Sequence, residues 1–150
     1  MQLFKLNSCK QIVIVSFILL FMLVTPAQAD NSKEYKDHIV YVNAFPTDSL
    51  PSEMTKQYGL KRSKNYALVN VSVMEKGTGT PVGVKSKVTG VLKNLMGQSQ
   101  TLEFREIQEG QAVYYIAQVG VQSREVVNFL IEVKPDSNQE KYEIKFSKKF

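Results

Sequence analysis

The sequence predicts an all-β domain: an immunoglobulin-like antiparallel β-sandwich of seven or eight strands with one short helix, preceded by a cleaved signal peptide. Three observations predict it. Beyond residue 37, segment after segment alternates apolar with polar residues, the period-two mark of a half-buried strand. These segments recur at short, even spacing, with Gly, Pro, Asn and Ser between them. Strict alternation gives each sheet one dry and one wet face, and two such sheets must stack dry face to dry face.

The chain opens with Lys5 and Lys10, then an apolar run from Ile12 to Val24 interrupted only by Ser16. Pro26 breaks any helix there, and Ala27-Gln28-Ala29 offers the small residues of a cleavage site. That order of charge, apolar core and small residues predicts a signal peptide over 1–29, cleavage after Ala29, a single domain over 30–150 and a periplasmic location. The run is short for a span of about 20 residues, so no transmembrane span is expected after cleavage. Cys9, the only cysteine, precedes the apolar core, the wrong order for a lipidated cysteine. The exported part is then cysteine-free, which excludes disulfides, thiol redox chemistry and thiolate metal sites. Loss of Lys5 and Lys10 lowers the net charge of +5 by two. Such mild basicity outside the cytoplasm points away from nucleic acid and leaves anionic envelope surfaces as partners.

The polar stretch from Asp30 to Lys36 reads as a loose leader. A first strand follows from about Asp37 to Phe45, with Ile39, Tyr41 and Phe45 on one face and Val40 and Val42 on the other, so both faces are at least partly covered. Pro46 closes it. Ser49-Leu50-Pro51-Ser52-Glu53 has a serine cap, a first-turn proline and an early acid, which start a short helix over about Pro51 to Tyr58, with Gly59 as its C-cap. Asn65 to Met74 is the clearest strand: Ala67, Val69, Val71 and Val73 alternate with Asn70 and Ser72. After a turn at 76–81, Val82 to Leu95 holds one long or two short strands, with Gly83 and Gly90 expected as bends or bulges. Leu95 to Gln98 turns the chain back into Thr101 to Ile107, and Glu109-Gly110 makes the next hairpin. Val113, Tyr115, Ala117 and Val119 face inward in the following strand, and Val127, Phe129, Ile131 and Val133 in the next. A turn at 135–138 leads to the last strand, whose core side carries Tyr142, Ile144 and Phe146. The tryptophan and paired cysteines of antibody domains are missing.

Catalytic sets are thin. His38 is the only histidine, reads as a surface or edge residue, and has no placed partner. A zinc site needs more His or Cys ligands than the chain holds, so no metal or cofactor is expected. Glu103, Glu106 and Glu109 could supply paired carboxylates, but Arg105 among them suits a surface ladder. Asp136, Asn138 and Glu140 lack the central glycine and distal glutamate of a calcium loop.

The densest polar cluster lies around Tyr58-Gly59-Leu60-Lys61-Arg62-Ser63-Lys64-Asn65, a helix end with three cations and two nearby aromatics, Tyr58 and Tyr66. Such a set suits a carboxylate or phosphate, or else complements the helix dipole as a solvated face. With Tyr41-Val42-Asn43-Ala44-Phe45 before it and Leu68-Val69-Asn70-Val71-Ser72-Val73 after it, the chain resembles the small exported bacterial proteins grouped as domain of unknown function 4426. The resemblance implies an envelope location and an immunoglobulin-like fold, and brings no activity with it. Asn43, Arg62, Ser63, Asn65 and Asn70 match its motif. With Phe45, Tyr58 and Lys64 they form the candidate binding set.

The function expected is a non-enzymatic binding or interaction module of the cell envelope, its partner an envelope protein or an anionic small ligand or glycan. Two alternatives come from other classes. The alternation of Tyr142, Ile144 and Phe146 before Phe150 suggests an outer-membrane-associated structural β protein, against which Lys148 sits where an apolar residue belongs. The Glu103–Glu109 series suggests a carboxylate-dependent cell-wall hydrolase.

Overall fold

A computed structural model describes residues 32–77, 82–138 and 140–150. The apolar run, the cleavage site and residues 78–81 of the first glycine-rich turn lie outside them. The elements are β1 (Ser32–Glu34), β2 (His38–Pro46), a 3₁₀ turn (Thr47–Ser49), α1 (Ser52–Gln57), β3 (Tyr66–Glu75), β4 (Ser86–Asn94), β5 (Ser99–Thr101), β6 (Arg105–Glu109), β7 (Ala112–Gly120), β8 (Val126–Pro135) and β9 (Tyr142–Lys149). The strands form a five-stranded sheet, β1-β2-β3-β7-β6, and a four-stranded sheet, β5-β4-β8-β9, antiparallel throughout. With β1 set aside, β2-β3-β7-β6 has the A-B-E-D order of an immunoglobulin sandwich, and β5-β4-β8-β9 its C-F-G order with one added edge strand.

The two dry faces differ in grain. The five-stranded sheet offers mainly small residues: Val40, Val42, Ala44, Ala67, Val69, Val71, Val73, Ala117 and Val119, all at most 5% exposed. The four-stranded sheet answers with Phe129, Ile131, Tyr142 and Ile144 among its valines. Large side chains thereby enter the spaces between small ones, as close packing requires. Phe129 also stacks on Phe146, with ring centroids 4.7 Å apart.

Several local expectations change. The polar leader is not loose: Ser32, Lys33 and Glu34 pair with Tyr41, Val40 and Ile39 as β1. The stretch expected as one strand from Thr101 to Ile107 is two, because the chain crosses from one sheet to the other between β5 and β6. Gly90 is neither bend nor bulge; it sits in the β4 ladder opposite Ile131. A Cβ there would lie 2.8 Å from Ile131 Cδ1, 3.0 Å from Leu102 Cδ1 and 3.2 Å from Phe104 Cε2, so the glycine makes room for the crossing segment. The helix starts one residue later than expected, and Ser49 does not cap it; its hydroxyl donates to the Pro46 carbonyl instead. The helix end follows expectation. Gly59 has φ +59°, its N–H donates to the Lys56 carbonyl, and the Leu60 N–H donates to the Thr55 carbonyl, a Schellman closure.

Polar ties join the sheets at opposite edges. On one side the Ser86 N–H donates to the Tyr115 hydroxyl at 2.7 Å, and that hydroxyl donates to Glu106 Oε2 at 3.0 Å. On the other, His38 is 2% exposed rather than a surface residue. Its Nδ1 lies 3.0 Å from the Tyr142 hydroxyl and its Nε2 3.0 Å from Ser137 Oγ. A buried imidazole must bond through both nitrogens, and this one does. The Asn138 amide donates to the same phenol oxygen, and the Tyr35 ring stacks on the Tyr142 ring at 3.8 Å.

Two tests follow from this packing. Gly90→Ala should cost about 1–3 kcal/mol in denaturant unfolding, because its methyl meets three core side chains. Gly77→Ala, with nothing within 4 Å, should leave stability unchanged. Burial is the main cause pushing the Tyr115 phenol up to about 12. The folded state then holds a proton that the unfolded chain releases near pH 10. The resulting stability is complete below pH 10 and is lost between pH 10 and 12. Tyr115→Phe should flatten that part of the stability profile.

Candidate functional site

The segment between β2 and β3 does more than connect two neighbouring strands. It lays α1 across the wet face of the five-stranded sheet and gives that face an outer layer. The registers explain why the face accepts a cover. Phe45 stands opposite Leu68, Asn43 opposite Asn70, Asn70 opposite Ile116, and Tyr114 opposite Ile107. The patch is apolar where a solvated face would be polar, and Leu68 and Ile116 are each 6% exposed.

Between this patch and α1 lies a cavity of about 360 Å³. Its walls are Phe45, Leu50, Met54, Leu68, Ile107 and Ile116, with Tyr58, Glu109 and Tyr114 completing the lining. One polar group stands out among them. Asn70 Oδ1 is shielded from solvent and has no hydrogen-bond partner, alone in this respect among the described residues. An unpaired buried carbonyl costs about 1–3 kcal/mol, so such atoms are rare unless a ligand or water meets them.

The covering segment is fastened at both ends. At its base, Arg62 Nε donates to the Leu50 carbonyl at 3.0 Å and Nη2 to the Asp48 carbonyl at 2.7 Å. The buried Thr47 hydroxyl donates to the Lys61 carbonyl at 2.8 Å and accepts from the Ser63 N–H at 3.0 Å. Gln118 accepts from the Lys61 N–H at 3.1 Å and donates to the Lys61 carbonyl at 2.7 Å. At the helix end, Arg105 donates to the Tyr58 carbonyl, and the Tyr58 hydroxyl donates to Glu109. That bond to a carboxylate holds the Tyr58 phenol above its ordinary pKa.

The candidate residues therefore divide. Phe45, Tyr58 and Asn70 line the cavity. Asn43 is exposed beside Asn70 on the same face. Arg62 is engaged with backbone carbonyls at the base of the cover. Ser63 and Asn65 line a different space, an open polar cleft of about 660 Å³ at one end of the sandwich, with Lys61, Tyr66, Asn94, Gln98 and Glu125 around it. Lys64 is exposed. The residues that sequence reasoning missed are Leu50, Met54, Ile107 and Ile116. Their signal was present: Ile107 and Ile116 are apolar residues at outward-facing positions.

The acidic series does not converge. On β6, Glu106 bonds Tyr115, a core residue, while Glu109 bonds Tyr58 on the outer layer. Ser137 and His38 have the contact of a nucleophile and its base, but Nδ1 faces a phenol rather than a carboxylate, and Ser137 lines neither cavity. Among the described residues no group of three or more His, Cys, Asp or Glu could hold a metal ion. No helix among them is long and apolar enough to cross a membrane. Tyr142 and Ile144 face the core, so the alternation of the last strand serves the sandwich interior.

Comparison with known proteins agrees with this architecture. Residues 32–150 match the family described as domain of unknown function 4426. The chain is similar to a member of that family from Pseudomonas aeruginosa PAO1, with 32% identity, a TM-score of 0.69, and coverage of 83% of this chain and 96% of that one. It also shares its fold with FetP of uropathogenic Escherichia coli strain F11, a protein crystallised after expression in the periplasm. There the identity is 12%, the TM-score 0.58, and the coverage 81% of this chain and 93% of that one. A copper-bound variant of FetP gives 11% identity with the same TM-score. No curated protein matches the chain.

Arg62→Ala tests the fastening of the cover. Loss of two donors to backbone carbonyls should lower stability by about 1 kcal/mol. Amides of residues 47–62 should exchange faster with solvent, while those of β3 and β7 keep their protection.

Proposed function

This chain belongs to the family of domain of unknown function 4426, and on its geometry we propose that it is a non-enzymatic binding module of the cell envelope, exported by its leader and released by cleavage after Ala29. Its binding site is the cavity beneath α1. The ligand is small and mainly apolar, with one hydrogen-bond donor, a hydroxyl or an amide N–H. The observation that carries this reading is the mainly apolar cavity between α1 and the sheet, lined by Asn70, whose Oδ1 is shielded and has no partner. A pocket that binds specifically combines apolar walls with a few placed polar groups, in volumes of roughly 300–1,000 Å³. This one has the volume, the apolar walls and a few polar groups, Asn70, Tyr58, Tyr114 and Glu109.

Other readings have less support. FetP binds copper in the variant described above, but the donor set here does not suit a copper ion. The one histidine is bonded through both nitrogens, and among the described residues no group of three or more His, Cys, Asp or Glu could hold a metal ion. Paired-carboxylate hydrolysis needs two acids on one site, and Glu106 and Glu109 bond to opposite layers.

The test uses N-phenyl-1-naphthylamine, an apolar fluorophore with one N–H donor. Saturable fluorescence enhancement at one site is expected. Met54→Trp, which fills the cavity from the exposed side of α1, should abolish it. Asn70→Leu should weaken it about tenfold, as loss of a buried hydrogen bond does. The same substitution should raise the stability of the ligand-free protein by about 1 kcal/mol, because it removes an unsatisfied carbonyl. Binding that neither substitution changes would place the ligand elsewhere.

A further inference from the structure

The tip of the β4–β5 hairpin carries Leu95 and Met96, 75% and 74% exposed, the most exposed of the large apolar side chains among the described residues. Their exposure is built in. The Asn94 N–H donates to the Gln98 carbonyl at 3.0 Å, and the Gly97 N–H to the Asn94 carbonyl at 3.1 Å. Asn94 and Gln98 also bond through their side chains: Nδ2 of Asn94 donates to Oε1 of Gln98 at 2.8 Å, and Oδ1 of Asn94 accepts from the Gln98 N–H at 2.9 Å. Gly97, at φ +84°, completes a turn that cannot fold its apolar residues back onto the protein.

The surroundings of this tip are basic. Asn94 pairs with Val127 in the β4–β8 register, while Val126 and Val127 pair with Lys149 and Lys148 in β8–β9. The end of β9 and the Arg124 turn therefore share the end of the sandwich that carries the tip. The polar cleft brings Lys61, Ser63 and Asn65 to that end as well, opposite Asn94 and Gln98. Lys64, Lys93, Arg124, Lys148 and Lys149 are all exposed there, and among the described residues none of them forms an ion pair. The opposing charges are Asp48, Glu125 and the carboxylate of Phe150. Glu125 already accepts from the Gln122 N–H. At the opposite end, beside the pairs His38–Glu75 and Ser86–Pro135, the acids Asp37, Glu75, Asp136 and Glu140 are mixed with Lys36, Lys76, Lys85, Lys87 and Lys134, of which Lys76 and Lys85 are ion-paired.

We propose that this end of the sandwich docks on an anionic phospholipid bilayer, with Leu95 and Met96 entering the headgroup boundary and the surrounding lysines and Arg124 meeting lipid phosphates. Two adjacent apolar side chains on a rigid tip, ringed by unpaired cations, have the features of an interfacial anchor: shallow apolar burial plus attraction to anionic lipid. A protein interface needs a broader apolar core, over roughly 1,000 Å² or more, and here charge replaces it. The proposal goes beyond the ligand cavity, which lies on the sheet face.

Vesicle flotation tests it, using the protein in the form that cells accumulate. Vesicles of phosphatidylglycerol with phosphatidylethanolamine should carry the protein up the gradient, and vesicles of phosphatidylcholine should not. Added salt should release it. Lys148→Ser with Lys149→Ser should weaken binding about fivefold per lysine. Leu95→Ser with Met96→Ser should weaken it about tenfold or more, with the melting temperature unchanged because both residues are outside the core. Equal binding to both kinds of vesicle, as an apolar leader would produce, overturns the proposal. So does binding that the tip substitutions leave intact. A photo-crosslinker at position 96 that captures a protein instead of lipid in cells also overturns it, and makes the tip a protein contact.

Discussion

Everything in this domain depends on the contact between two dry sheet faces. The described chain has no cysteine, so no covalent link joins the sheets. Their contact is made by an asymmetric division of side chains. β2, β3 and β7 supply valine and alanine at nearly every inward position, and β8 and β9 supply phenylalanine, isoleucine and tyrosine. β-branched valine suits the strand backbone and leaves shallow spaces that the larger rings fill. Two faces of equally large residues would have to separate, and two faces of valine would leave voids.

Burying two faces fixes how the sheets stack but leaves their edges less constrained. The polar ties act there. At one edge the Tyr115 hydroxyl joins Ser86 to Glu106; at the other, Tyr142 joins His38 to Asn138. Both tyrosines send an aromatic ring into the core and a hydroxyl to its margin, where the phenol finds backbone or side-chain partners. The edge at β9 is closed further by Lys33 and Tyr35, which both donate to the Glu143 carbonyl at 3.0 Å. Such bonds join the β1 side of one sheet to the β9 edge of the other. They occupy a strand-edge acceptor that would otherwise be open to pairing with another chain.

What could be read from the sequence, and what could not, follows from the range of each interaction. The alternation at Val69–Val71–Val73 and Phe129–Ile131–Val133 is local, so the strands and their inward faces were legible. Gly59 was legible for the same reason: a helix end is decided within a few residues. The pairing of Ser32–Glu34 was not, because nothing apolar marks it and its partner is supplied by β2. Nor was the crossing after β5, since a sheet change leaves the alternation of Leu102 and Phe104 intact. His38 was misread because its partners, Ser137 and Tyr142, are about a hundred residues away. Of the residues that line the cavity, Phe45, Tyr58 and Asn70 were named from the sequence, but as part of a basic cluster. The apolar cavity was not, because its roof and floor come from segments that the chain separates. Arg62, chosen for its charge, is engaged with carbonyls that no local pattern could have announced.

The outer layer turns a common sandwich into a protein with a cavity. In a bare sheet, Asn70 would be one more polar residue on a wet face, opposite Asn43, with water on its carboxamide. The covering segment removes that water and supplies no protein partner in return, though Gln118, Arg105 and Glu109 all bond the cover nearby. Those neighbouring groups satisfy the backbone and side chains of the cover itself, which shows that the fold can place donors on this face. The unsatisfied oxygen is therefore not a consequence of a scarcity of polar groups. Its residue lines the cavity, and the cover is held at both ends, so the cost of shielding it is borne by a frame stable enough to carry it. On the proposed function, a ligand that brings its own donor and displaces the cover enough to meet this oxygen would recover that cost and bury its apolar body in the same step.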